Sequence, residues 1–159
     1  MANTYSEVTL HVVIAVKGRK SLIRKEFRDD LYAYIGATLK NHDAYPLAIG
    51  GWVDHIHLLF SMPLTISISQ QVGAIKAISS KYVNDRRLLQ ERFEWQSGYS
   101  VFSCSTAHRS NLINYIKNQE EHHKKVTFRD EYLSIMQEYK IKYDERYLFE
   151  FYDRFDNSL

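Results

Sequence analysis

The stretch Gly50-Gly51-Trp52-Val53-Asp54-His55-Ile56-His57-Leu58-Leu59-Phe60 decides how this chain folds. It is apolar on both sides of its histidines and too short for a typical helix, so it predicts a buried strand. Residues i and i+2 of a strand face the same way. His55 and His57 therefore point together, while Ile56, Leu58 and Phe60 point to the other face. Two imidazoles side by side on a core strand make half of a metal site.

Working outward, Val8, Leu10, Val12, Ile14 and Val16 alternate with Thr9, His11, Val13 and Ala15, which predicts a first strand. His11 reads there as a core or edge histidine rather than a ligand. A helix is expected from about Arg24 to Lys40, with Phe27, Leu31, Ile35 and Leu39 at helical spacing. After a turn at Asn41 to Pro46, Leu47 to Val53 predicts a second strand, with Gly50-Gly51 marking a bulge or bend. The histidine strand runs to Ser61 and Pro63 stops it. A second helix runs from Ser67 or Ser69, either one a suitable N-cap, to about Leu89. Tyr99 to Ser105 predicts a fourth strand and Ser110 to Lys124 a third helix. A fourth helix starts at Thr127, whose spacing to Asp130 resembles a capping box.

The first six elements follow the split βαβ order of a ferredoxin-like domain. The expected class is α+β: an antiparallel sheet with helices on one face, plus C-terminal helices. The opposite face is expected to be open, able to bind nucleic acid or a second sheet. The chain, 1–159, reads as one domain, with 127–159 a C-terminal helical extension.

With a single cysteine, Cys104, no internal disulfide can form and an intracellular protein is expected. Cys104 reads as a small core residue. The N-terminus shows no signal-peptide pattern, and no apolar run approaches the ~20 residues of a membrane helix. Twelve tyrosines suit a surface partly apolar and partly wet. The net charge of +2 hardly argues for nucleic acid, but its distribution says more: between Lys17 and Arg28 six basic residues stand against Glu26 alone. Such a loop can meet phosphates, and it can equally be a solvated helix start.

The third helix carries a second constellation, Tyr115-Ile116-Lys117-Asn118-Gln119. Tyr115 and Gln119 are i and i+4 and share a face. A tyrosine can be a covalent nucleophile, and an amide oxygen can complete the coordination of a hard cation. The same two residues also suit amphipathic packing and a helix surface. No general base is evident; His108, His122 and His123 are near in sequence and read as solvated.

The pairing of Asp54-His55-Ile56-His57-Leu58-Leu59 with Tyr115-Ile116-Lys117-Asn118-Gln119 resembles the single-tyrosine HUH transposases of small bacterial insertion sequences, and their single-copy relatives associated with repeated extragenic palindromes. His11-Val12-Val13, the helix around Lys76 to Asn84 and Trp95-Gln96-Ser97-Gly98-Tyr99 extend the resemblance over about Thr9 to Gln119. It implies that His55, His57 and Gln119 hold Mg²⁺ or Mn²⁺ and that Tyr115 is the nucleophile; imidazoles alone would also suit zinc. It implies cleavage and rejoining of single-stranded DNA at hairpin-bearing ends through a 5′-phosphotyrosine, without a nucleotide cofactor. It further implies a cytoplasmic protein, at the nucleoid when bound to DNA, and a homodimer. In several members the tyrosine helix docks on the partner's histidines, so composite trans sites are expected. Lys17, Arg19, Lys20, Arg24 and Lys81 are the candidate DNA contacts, with Arg86 and Arg87 behind them.

Three rivals share some of these features. A domesticated relative would bind or nick palindromic DNA without moving an element. A ferredoxin-like RNA-binding module would need aromatic strand motifs that are not found. A zinc hydrolase would need a further Asp/His cluster, and the chain is short for a barrel.

Overall fold

The structure is a computed structural model and describes residues 3–19 and 22–148. Strand β1 (Thr9–Ala15) leads through a 3₁₀ turn at Lys17–Arg19 to helix α1 (Lys25–Asn41). Strands β2 (Tyr45–Gly51) and β3 (His55–Ser61) form a hairpin, followed by α2 (Ile68–Asp85), β4 (Ser100–Ser103), α3 (Arg109–Lys117), α4 (Gln119–His122) and α5 (Phe128–Glu138). The sheet order is β2-β3-β1-β4 with every neighbour antiparallel, the ferredoxin-like order expected. Among the described residues, no helix is long and apolar enough to cross a membrane.

Alternation along the strands divides the residues between two faces. Leu10, Val12, Ile14, Ile56, Leu58 and Phe60 pack against α1 and α2 through Phe27, Leu31, Ile35, Val72 and Ile75. Ser67 caps α2 in a reciprocal capping box with Gln70, so the first of the two candidate serines starts the helix. The long connection back to β4 is pinned to α2: Asn84 holds both backbone groups of Phe93, Trp95 Nε1 donates to Ser79 Oγ (2.9 Å), and Lys76 Nζ donates to the carbonyl of Gln96 (2.8 Å) and to that of Gly98.

The second face is not open. Val13, Ala15 and Phe102 pack against Phe128, Tyr132 and Met136 of α5, and Ala48, Leu59 and Cys104 pack against Ile116 of α3. The third helix, expected to run unbroken to Lys124, ends at Lys117 because Asn118 takes φ −98°, ψ 20°. Asn118 makes no side-chain capping bond, and the backbone bonds from Asn118 N–H to Asn114 and from His122 N–H to Asn118 run on through the break. The only register shift in the β2–β3 pair lies between Pro46 and Ala48, not at the two glycines. Gly50 serves a different end: a Cβ there would sit 2.1 Å from the Ile116 carbonyl oxygen, so its lack of side chain lets α3 lie against β2.

Candidate functional site

His55 and His57 lie on the covered second face, both fully buried. Each has its Nδ1 engaged. His55 Nδ1 is 2.8 Å from Asp54 Oδ1, and a carboxylate only accepts, so Nδ1 carries the proton. His57 Nδ1 is 2.8 Å from His11 Nε2. Burial, then the charge of His57, lowers the His11 pKa to about 3, so His11 is neutral and acts as a hydrogen-bonding support. With Nδ1 fixed, both Nε2 atoms turn toward α3, α4 and α5.

Helix α3 brings Tyr115 and α4 brings Gln119 to this point. The break at Asn118 falls between them, yet their side chains still converge. Gln119 Oε1 lies 3.2 Å from His55 Nε2 and 2.9 Å from His123 Nε2. The Tyr115 ring packs edge-on to His57, with ring centres 5.8 Å apart. One chain thus brings both halves together; the composite trans site that the resemblance implies would pair the same helix with the histidines of a second copy. Two features join the halves within one chain: the short Thr106–His108 turn after β4, and the close approach of α3 at Gly50.

The centre of the cluster is a residue the sequence reading missed. Glu131 of α5, 4% exposed, places Oε1 2.9 Å from His57 Nε2 and 3.3 Å from His55 Nε2. Its Oε2 accepts from Tyr115 OH and from Gln119 Nε2 (3.1 Å), and lies 2.9 Å from His122 Nε2 and 3.4 Å from His123 Nε2. His122 and His123, read as solvated, belong to this cluster; His123 is buried. His108 remains exposed. Glu131 was hidden in the charged run Arg129-Asp130-Glu131, but its signal was there: it stands three residues after Phe128 and one before Tyr132, inside the apolar stripe of α5.

Burial would raise the Glu131 carboxyl, but the surrounding histidines, His57 foremost, hold it far below the usual carboxylate range. Burial would likewise lower His55, but hydrogen bonds to Asp54 and Glu131 carry it up to about 9. Burial lowers His57. Tyr115 is pushed above the ordinary tyrosine value by burial and by the Glu131 charge, so in this state it is a protonated phenol.

A divalent metal fits these donors. His55 Nδ1 donates to Asp54 and His123 Nδ1 donates to the Val126 carbonyl (2.8 Å). In their neutral forms both rings would then aim an Nε2 lone pair at the oxygens of Gln119 and Glu131, which are themselves acceptors. Such a convergence needs positive charge at its centre, supplied by protons or by a cation. The His55–Asp54 bond is also the outer support typical of a metal-binding imidazole.

The candidate DNA contacts lie elsewhere. Arg24 and Lys81 line one open groove with Arg87 and Arg92, beside α2 and so on the sheet face away from the histidines. Lys81 pairs with Asp85 (2.6 Å) and Lys17 with Glu94 (3.3 Å). Arg19 ends the 3₁₀ turn; Lys20 and the tail aromatics Phe149, Phe151, Tyr152 and Phe155 lie outside the described residues. By contrast, a cavity between α3 and α5 carries Tyr115, His122 and Glu131 on its wall, giving the cluster an opening to solvent.

Residues 4–119 match the family model for IS200-like transposases. A structure from Deinococcus radiodurans R1, of a protein assigned as a transposase, superposes with a TM-score of 0.61 at 22% identity, covering 75% of this chain and 95% of its own. The structure of a REP-associated tyrosine transposase bound to a REP hairpin superposes with a TM-score of 0.57 at 16% identity, covering 79% of this chain and 74% of its own. At these identities the likeness is one of fold. A comparison with curated proteins finds no match.

Proposed function

The chain belongs to the IS200-like transposase family, and on that basis we propose that it cleaves and rejoins single-stranded DNA at hairpin-bearing ends through a covalent 5′-phosphotyrosine on Tyr115. One observation carries this reading. The Tyr115 hydroxyl, the Gln119 amide and the two histidine Nε2 atoms all meet on the two oxygens of one carboxylate, Glu131. A nucleophile and a set of cation donors therefore share one small volume.

In this reading His55, His57 and Gln119 hold Mg²⁺ or Mn²⁺. When bound, the ion supplies charge to polarise a non-bridging phosphate oxygen and orient the diester. The remaining work falls to the chain's own residues. Asp54 and His11 fix the two imidazoles. Tyr115 keeps its phenol proton in this state and donates it in a hydrogen bond to Glu131 Oε2. Attack forms a bond from Tyr115 Oη to phosphorus and breaks the bond to the 3′ oxygen; the phenol proton is released as Oη bonds, and the 3′ oxygen takes up one proton and leaves as a hydroxyl, so the step is neutral in protons. A second 3′-hydroxyl reverses the step. No nucleotide cofactor is needed, because the phosphotyrosine conserves the energy of the diester. The REP-hairpin complex of the structural relative supports a hairpin substrate. The protein works as a homodimer in this reading, as the sequence resemblance implies.

Labelled single-stranded hairpin DNA tests the proposal. Wild-type protein should give a shifted covalent band on a denaturing gel, and Tyr115→Phe, which removes only the hydroxyl, should give none. His57→Ala should lose cleavage while still retarding the hairpin on a native gel. An adduct that persists in Tyr115→Phe would place the nucleophile elsewhere, with Tyr99 next to be tested.

A further inference from the structure

We infer that Glu131 is itself a ligand of the cation held by His55 and His57, so that the C-terminal extension completes the metal centre. This rests on the metal reading proposed above and adds to it a residue from outside the family-matched segment, which ends at 119.

The argument begins with burial. A carboxylate taken out of water is strongly unfavourable unless positive charge meets it. Among the described residues, the groups within ion-pairing distance of Glu131 are four histidines, with no lysine or arginine. Imidazoles supply positive charge only when protonated, or when a cation sits among them. The spacing admits a cation. Glu131 Oε1 lies 2.9 Å from His57 Nε2 and 3.3 Å from His55 Nε2, and His55 Nε2 lies 3.2 Å from Gln119 Oε1. Donors about 2.0–2.2 Å from one ion stand roughly 2.8–3.6 Å apart at octahedral to tetrahedral angles. The ligand atoms of the buried triad His55, His57 and Glu131 lie within 4.8 Å of one another, and both distances to Glu131 fall in that range.

The helix is also built to hold Glu131 there. Phe128, three residues earlier on the same face, stacks on the His55 ring with centres 3.8 Å apart and planes 2° from parallel. Tyr132 and Met136 anchor the next turns against Val13, Ala15 and Phe102. The register of α5 is therefore fixed from the ligand strand itself. Two imidazoles, an amide oxygen and a carboxylate make a mixed nitrogen–oxygen set that suits Mn²⁺ better than the all-oxygen preference of Mg²⁺.

Calorimetric titration of the full chain with Mn²⁺ tests this. Wild-type protein should bind one ion. Glu131→Gln keeps the shape and removes the charge, and its affinity should fall at least about tenfold. If Glu131 only fills the centre in place of an ion and withdraws on loading, the Gln variant would bind Mn²⁺ as tightly or more tightly, which overturns the inference. Should Glu131→Gln fail to fold by circular dichroism, Glu131→Asp takes its place; it keeps the charge but draws the oxygen back by one methylene, so its affinity should fall too, and an unchanged value would again overturn the inference. His57→Ala separates the two levels. Binding as tight in that variant as in wild type, or no binding by wild type, sinks the metal reading itself. Loss in His57→Ala with full affinity in the Glu131 variant sinks only the role of Glu131.

Discussion

At the scale of single residues, the imidazoles do their work through what stands behind them. A ring that donates from Nδ1 to a fixed acceptor presents Nε2 in one direction and one tautomer. Asp54 does this for His55 at 2.8 Å. Asp54→Ala should therefore leave the sheet intact and weaken Mn²⁺ binding about 10- to 100-fold, as removal of such outer supports does. Titration of the variant beside wild type checks this; equal affinity would mean that packing against Phe128 suffices to aim the ring. Asp54 and His57 stood in the quoted motif, and their common strand made the direction of the histidines legible by period two alone. The bond from His11 to His57 was not legible, because it crosses from β1 to β3 and depends on register. Glu131 was hidden for a related reason. Charged residues on a helix usually face water, and only the docking of α5 on the sheet turns this one inward.

At the scale of elements, the β2–α3 contact sets where the tyrosine goes. Gly50 leaves no room for a Cβ against the Ile116 carbonyl, and that neighbour is backbone that cannot swing aside. Gly50→Ala should push α3 off the sheet, destabilise the protein by about 1–3 kcal/mol and reduce adduct formation by Tyr115. Gly73 is the control. It lies exposed within α2, and a Cβ added there would meet nothing within 4 Å. Gly73→Ala should raise stability by about 0.5–1 kcal/mol and leave cleavage unchanged. Thermal melts and the gel assay read both. From sequence the glycine pair signalled a bend in β2. Helix backbones approaching from another part of the chain leave no local trace, so the real constraint at Gly50 was invisible. The break at Asn118 was hidden by the apolar spacing of Leu112 and Ile116, which continues a helical pattern up to that residue.

At the scale of the whole molecule, the strand and helix order was legible because each of the first six elements carries its own period and ends at its own punctuation: Gly18 after β1, Ser67 before α2 and Pro63 after β3. What covers the second face was not, because the C-terminal helices could dock on the sheet, on a partner or on neither with the same amphipathic pattern. The structure puts both halves of the site in one chain, and that has a direct test. Mixing a His55→Ala/His57→Ala chain with a Tyr115→Phe chain, after confirmed subunit exchange, distinguishes the arrangements. In cis, every site retains one defect and no cleavage should return. In trans, half of randomly paired dimers would be mixed and each would regain one site of two, restoring about a quarter of wild-type cleavage. The expected result is the dead mixture, because Gly50 seats α3 on its own β2 and α5 closes over the same histidines from the other side. Recovery near a quarter would show that α3 leaves this seat and crosses to the partner when DNA is cleaved.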